Sequence, residues 1–210
     1  TSFKAYNDIG LITASSMLIY NLNEDGSLGY YNTSSNVTSE QFQSRLKTTL
    51  GLKAYPCVYC DATIGMCSNL SNRLDNLYKN MDDFIKNTID IALFNNWDGY
   101  YVDFEPDTIV NSTLLTNFVL LWANKLRLYD LQLLLWIGGG TPYDERIYND
   151  NDLILTTMDT YNADYADFIQ TAAQEQLNMF DVTKLGFGML TNYGGMVCPA
   201  NESDIDIIKR

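Results

Sequence analysis

Two carboxylates set two residues apart, Asp103 and Glu105, close the stretch Asn95-Asn96-Trp97-Asp98-Gly99-Tyr100-Tyr101-Val102-Asp103-Phe104-Glu105-Pro106. The stretch reads as a strand. An Asp-Gly step opens it, and Pro106, which has no N–H to give to a ladder, ends it. Successive side chains of a strand point to opposite faces. Tyr100, Val102 and Phe104 then share an apolar face that needs a helix packed on it. Tyr101, Asp103 and Glu105 share the other face, with the two acids about 6.6 Å apart along the chain. A carboxyl group beside a like charge keeps its proton to higher pH. That is what a general acid needs when it works next to a carboxylate that stays charged. The structural alternative is a pair of acids held by basic partners, since unpaired buried charges are costly.

The rest of the composition narrows the chemistry. The chain has 210 residues and no histidine, which excludes Ser-His-Asp and Cys-His nucleophilic sites and any zinc site that needs imidazole. A formal net charge of -13 argues against nucleic acid, whose binding rests on phosphate neutralisation, and against an anionic membrane surface. A neutral or cationic substrate is compatible. Aromatic residues make up 13% of the chain, including 15 tyrosines, a folded rather than disordered composition. The four cysteines Cys57, Cys60, Cys67 and Cys198 are not two close pairs, so an all-cysteine zinc site is disfavoured. Two disulfides fit, with three connectivities open, in an oxidising compartment. No metal and no cofactor are expected. Five N-x-[ST] sequons, at Asn32, Asn36, Asn69, Asn111 and Asn201, join the cysteines in favouring a secreted glycoprotein. No signal-peptide pattern and no run of 18 apolar residues is visible, so the sequence reads as a mature or trimmed form.

The elements that must position the two acids follow a strand-helix rhythm. Strands are expected at 11–20, 52–59, 98–105, 131–137, 153–160 and 184–191. Asn21–Ser27 reads as a turn and 29–39 as a loop. Helices are expected from a Ser39 cap to Leu50, over 72–94 as one long element, from Asn111 to about Tyr129, over 163–177, and starting at Ser203. Cys57 and Cys60 fall near a strand end, and the loop after it runs through Asp61, Gly65 and Cys67. This rhythm argues for an α/β fold with a parallel sheet, right-handed crossovers and functional loops at the strands' C-terminal ends. A closed barrel and an open doubly wound sheet both fit, but no phosphate-binding glycine motif follows the first strand. Gly138-Gly139-Gly140 reads as loop geometry.

Asp98-Gly99-x-x-x-Asp103-x-Glu105 resembles the D-G-x-D-x-D-x-E signature of glycoside hydrolase family 18, the chitinases and their relatives. Asn23–Leu28 is similar to the turn after that family's second barrel strand. Leu131–Trp136 stands in the place of the fifth strand, Met158-Asp159-Thr160-Tyr161 resembles the sixth, and Lys184–Gly188 the seventh. The protist and fungal chitinase-like branch, with its G-Y-x-x-D-[FW]-E-P and M-D-T-Y strands, is the part of the family most similar to this chain. The resemblance implies an α/β fold, a (β/α)8 TIM barrel, of which about six βα units are visible over 1–210. The first and eighth strands have no counterpart. Either the sequence is a fragment, or self-assembly or a partner chain completes the barrel, since an open sheet edge is a pairing liability.

The implied activity is hydrolysis of β-1,4-linked N-acetylglucosamine glycans by a substrate-assisted retaining mechanism. Glu105 would be the general acid. Asp103 would orient the N-acetyl group whose oxygen attacks the anomeric carbon. Tyr161 would hydrogen-bond that oxygen, with Asp98, Tyr101 and Asp159 in support. Trp136, Tyr193 and Met158 would line the sugar site, and Trp97 and Tyr143 are further aromatic candidates. The pattern's middle acid is Tyr101 here, and the aromatic platform of the eighth strand is missing. An inactive chitinase-like lectin, or a structural extracellular glycoprotein, is therefore the second reading.

Overall fold

The computed structural model describes residues 13–31, 36–62, 67–105, 110–137, 143–157 and 184–187. Expectations placed on Asn32, Pro106, Gly138-Gly139-Gly140, Met158, Asp159, Tyr161, Tyr193, Cys198, Asn201, and the helices at 163–177 and after Ser203 lie outside the described residues. The chain divides into two units, Thr1–Trp136 with Thr141–Leu153, and Ile137–Gly140 with Ile154–Arg210.

In the first unit the expected long first strand is two short ones, β1 (Ala14–Ser15) and β2 (Leu18–Leu22). The next is likewise divided into β4 (Lys53–Ala54) and β5 (Cys57–Asp61). Each break has its own pairing. β1 lies parallel to β4, with Ala14 opposite Lys53, and β2 lies parallel to β5. Pro56, which offers no ladder donor, stands at the second break. Gly29 and Tyr30, expected in a loop, form β3 with Leu28 (Leu28–Tyr30), antiparallel to β2 across the Asn23–Ser27 turn. Gly26 makes that turn with φ 81°, and a Cβ there would strike the backbone of Leu77. The hairpin gives β2 a partner on the side away from β5, so this edge of the parallel strands is covered rather than open.

The order continues β5, β6 (Gly99–Glu105), β7 (Gln132–Trp136), all parallel. Gly99 opens β6 at φ 141°, and any Cβ would run into the Gln132 carbonyl. The Asp-Gly step is thus required by how closely β7 approaches. Among the described residues four α-helices accompany these strands: α1 (Asn36–Leu50), α2 (Leu70–Lys79), α3 (Met81–Asn95) and α4 (Ser112–Arg127). α1 starts three residues before the expected Ser39 cap. The single helix expected over 72–94 is two, because Asn80 leaves helical geometry at φ -128° and its N–H bonds back to the Leu77 carbonyl. The Asn111 side chain caps α4 by accepting from the Leu114 N–H.

The core lies between these helices and one face of the strands. Phe84 of α3 and Phe118 and Trp122 of α4 meet edge to face or tilted, with ring centroids 5.1–5.6 Å apart. Tyr100 of β6 joins them at 5.6 Å from Trp122. Its hydroxyl donates to the Thr88 carbonyl, and the Trp122 indole N–H donates to the Thr88 hydroxyl. The polar ends of two buried aromatics are therefore satisfied by one residue of α3. β8 (Leu153–Thr157), which lies in the second unit from Ile154 on, pairs in parallel with β9 (Leu185–Phe187), Leu155 opposite Leu185. No helix among the described residues is long and apolar enough to cross a membrane.

Candidate active site at the ends of β5 and β6

The two faces of β6 divide as the alternation predicts. Tyr100, Val102 and Phe104 are buried against the helices. Tyr101, Asp103 and Glu105 occupy the other face, with Asp103 at 8% exposure and Tyr101 and Glu105 half-buried. The strand's start is fixed by Asp98. Its Oδ2 accepts the Ala54 N–H at 2.8 Å and forms an ion pair with Lys47 at 2.8 Å. Asp98 ties the start of β6 to β4 and α1.

Strand register decides what surrounds the acids. On β5, Cys57 stands opposite Tyr101, Tyr59 opposite Asp103 and Asp61 opposite Glu105. On β7, Leu134 stands opposite Tyr101, and continuing that register by one residue brings Trp136 beside Asp103. Three carboxylates, Asp61, Asp103 and Glu105, therefore end two adjacent strands on one face. Asp61 is 4% exposed and accepts the Tyr59 hydroxyl at 2.9 Å. Tyr31, just after β3, packs edge-on against Tyr59 at 5.9 Å. Burial, the bond to Asp61 and then the charges of Asp61, Glu105 and Asp103 push the Tyr59 phenol above its usual range. Burial first, and then Asp61, does the same to Tyr31. Tyr143, in the segment leading to the 3-10 turn Glu145–Asn149, is pushed up by burial and next by Asp103. All of these phenols stay neutral and able to hydrogen-bond throughout the neutral range.

The Trp136 indole N–H and the Tyr143 hydroxyl have no hydrogen-bond partner among the described residues. A donor left unsatisfied in a buried place is suited to meet a ligand. Trp136 and Tyr143 therefore stand with the acids. Trp97 does not. It is 3% exposed and packs on Tyr20 and Tyr100 at 5.8 and 6.1 Å, so it belongs to the core. Among the described residues no group of three or more cysteine or acidic side chains is arranged to hold a metal ion.

Tyr59 and Asp61 are absent from the sequence-based site. The alternation Cys57-Val58-Tyr59-Cys60-Asp61 carries the same signal as β6, an acid ending the inward face of a strand, but the strand was expected to stop at Tyr59. One disulfide joins Cys60 to Cys67 and closes the loop after β5. Cys57 is buried and outside that bridge. Of the sequons, Asn69 is exposed in left-handed conformation before α2, Asn111 caps α4, and Asn36 begins α1.

No protein-family model matches the chain. No curated protein matches it by sequence. Solved structures do match it. A chitinase from Chromobacterium violaceum superposes with a TM-score of 0.65 at 16% identity, over 89% of this chain and 63% of that one. A class V chitinase variant from Nicotiana tobaccum, solved in complex with NAG4, gives 0.60 at 16% identity, over 87% and 61%. The chitinase-like agglutinin of Robinia pseudoacacia gives 0.60 at 18% identity, over 84% and 62%. The chain has the chitinase fold. It is a mixed α/β chain of the (β/α)8 barrel class, and it spans about three-fifths of the length of these structures.

Proposed function

We propose that the protein binds β-1,4-linked N-acetylglucosamine glycans at the ends of β5 and β6 and hydrolyses them with retention of configuration. One observation carries the reading. Asp103 and Glu105 lie on one face at the C-terminal end of β6, in a fold shared with chitinases, and that is the end of the strands where barrel enzymes keep their sites. Glu105 gives its proton to the glycosidic oxygen. Asp103 holds the N-acetyl group of the same sugar so that its carbonyl oxygen attacks the anomeric carbon as the leaving group departs, and it then stabilises the cyclic cation. Water opens that intermediate as Glu105 takes a proton back. Tyr161, with Asp159 beside it in sequence, steadies the acetamido oxygen, and Trp136, Tyr193 and Met158 line the sugar. Positive charge builds up in the transition state, which suits a face with three carboxylates.

The G-Y-Y-V-D-F-E-P run supports placement in the protist and fungal branch of the family. The Cys60–Cys67 disulfide and the sequons support a secreted glycoprotein whose partner is a glycan rather than nucleic acid or a membrane. An open parallel edge is a pairing liability, which supports self-assembly or a partner chain completing the barrel.

A second reading has its own support. Tyr101 stands where the family pattern has an acid, and an agglutinin is among the similar structures. A lectin without turnover would keep Asp103, Trp136 and Tyr143 for binding. Fluorophore release from a chitobioside or chitotrioside, with wild type and Glu105→Gln compared, separates the two. Turnover lost in Glu105→Gln supports the enzyme. Sugar binding with no wild-type turnover selects the lectin, and equal rates in both proteins reject Glu105 as the acid.

A further inference from the structure

We propose that Asp61 is a positioning residue that fixes the direction of the Tyr59 hydroxyl, so that Tyr59 meets the sugar as a hydrogen-bond acceptor beside Asp103. The proposal deepens the glycan reading and its ligand half rests on it. In the 2.9 Å contact the Tyr59 phenol is the donor and Asp61 Oδ2 the acceptor. A phenol has one proton, and once it is committed to Asp61 only lone pairs remain for anything else. Tyr59 is opposite Asp103 and Asp61 is opposite Glu105, which puts the Tyr59 oxygen on the face of the two acids and half-buried.

The surroundings hold the arrangement in place. Tyr31 packs on the Tyr59 ring from the β3 side, and the charges that reach Tyr59 are those of Asp61, Glu105 and Asp103, all acidic. Asp61 is 4% exposed, and the Cys60–Cys67 disulfide begins at its neighbour. A rotated Tyr59 hydroxyl would give up its hydrogen bond to a buried carboxylate, which is costly. At Tyr59 and Asp103 the face therefore presents acceptors from two strands, and the part of a sugar that meets these two residues answers with N–H or O–H. The acetamido N–H of N-acetylglucosamine and the ring hydroxyls are such donors. Tyr59 and Asp61 then select for a sugar that offers a donor next to the group Asp103 holds.

The test reads the pair with and without ligand. Tyrosine labelled with 13C at Cζ is followed by NMR across alkaline pH, and the Tyr59 signal is assigned by its loss in Tyr59→Phe. Tyr59 should titrate above the ordinary phenol range, and Asp61→Asn should lower it by about one unit or more, with Asp61→Glu restoring it. In calorimetry with the N-acetylglucosamine tetramer, Tyr59→Phe and Asp61→Asn should each weaken binding about tenfold, and in turnover they should raise KM more than they lower kcat. The side chain introduced by Asp61→Asn can donate as well as accept, so the Tyr59 hydroxyl is no longer held in one direction and affinity falls although both groups are polar. An unchanged Tyr59 titration in Asp61→Asn overturns the proposal whether or not sugar binds. Equal tetramer affinity in all variants overturns the acceptor role. Wild-type protein that binds no tetramer overturns the glycan reading and the acceptor role with it, while the titration reports the Tyr59–Asp61 pair separately.

Discussion

The two faces of β6 come from alternate residues of one seven-residue strand and obey opposite rules. Tyr100, Val102 and Phe104 are at most 1% exposed, apolar or fully hydrogen-bonded, and packed on α3 and α4. Across the strand, Asp103 and Glu105 share their face with Asp61 of β5, an arrangement that like-charge repulsion disfavours. The first face satisfies every requirement of a stable core. The second departs from them where a ligand would meet it, and such departures mark functional sites. Stability and chemistry should therefore separate cleanly by face.

Glu105→Gln gives the largest effect if the separation holds. Turnover on a chitotrioside should fall by a factor of roughly 10²–10⁴, the worth of a general acid. Its denaturant midpoint should stay within about 1 kcal/mol of wild type, as for changes outside the core. A large loss of stability would break the comparison by making Glu105 a structural residue. Trp122→Ala tests the other face. It empties a fully buried site contacting Phe84, Phe118 and Tyr100 and removes the N–H that the Thr88 hydroxyl accepts, so chemical denaturation should show a loss of about 3–5 kcal/mol. Sugar affinity of the fraction still folded should be unchanged.

Alkaline pH sharpens the contrast further. Tyr20 and Tyr100 on the core side are pushed above the ordinary phenol range, Tyr20 by burial and then by its bond to Glu40, Tyr100 by burial and then by the Glu40 charge. A phenol whose folded pKa lies above its unfolded value contributes stability that is whole below about pH 10 and is lost as pH rises beyond it. Stability should be flat to about pH 10 and then fall by up to about 1.4 kcal/mol per unit for each such group. Urea midpoints measured from pH 8 to 11 check this, and a flat profile through pH 11 contradicts the buried phenols. The smallest effect belongs to Asp98→Ala, about 1–2 kcal/mol. It leaves the buried Ala54 N–H without its acceptor and Lys47 without its partner at the foot of β6. Fluorescence melts of Asp98→Ala and Asp98→Asn compare the two losses, and only a change in sugar affinity larger than the change in stability would move Asp98 into the site.

Much of this was legible from local pattern. The period of two in residues 99–105 assigns each side chain of β6 to its face, and the apolar spacing of α3 and α4 names Phe84, Phe118 and Trp122 as core. The Asp-Gly step marks the strand's start, and its cause, the close approach of Gln132, is tertiary. Local pattern misplaced what depends on pairing. The break at Asn80 interrupts an unbroken apolar stripe, and Gly29 and Tyr30 look like loop until β2 offers them a ladder. Trp97 has the composition of a sugar platform and the position of a core residue.

By itself the sequence determined the chemistry on offer: no imidazole, two acids on one strand face, and a net charge that turns away anionic partners. It could do so because side-chain type and strand alternation are local properties. Only the tertiary structure decided the company those acids keep. Register between β5 and β6 is set by non-local ladder pairing, and a shift of one residue would have sent Tyr59 and Asp61 to the core side. That register places a third carboxylate beside Glu105 and a tyrosine whose proton is already taken beside Asp103.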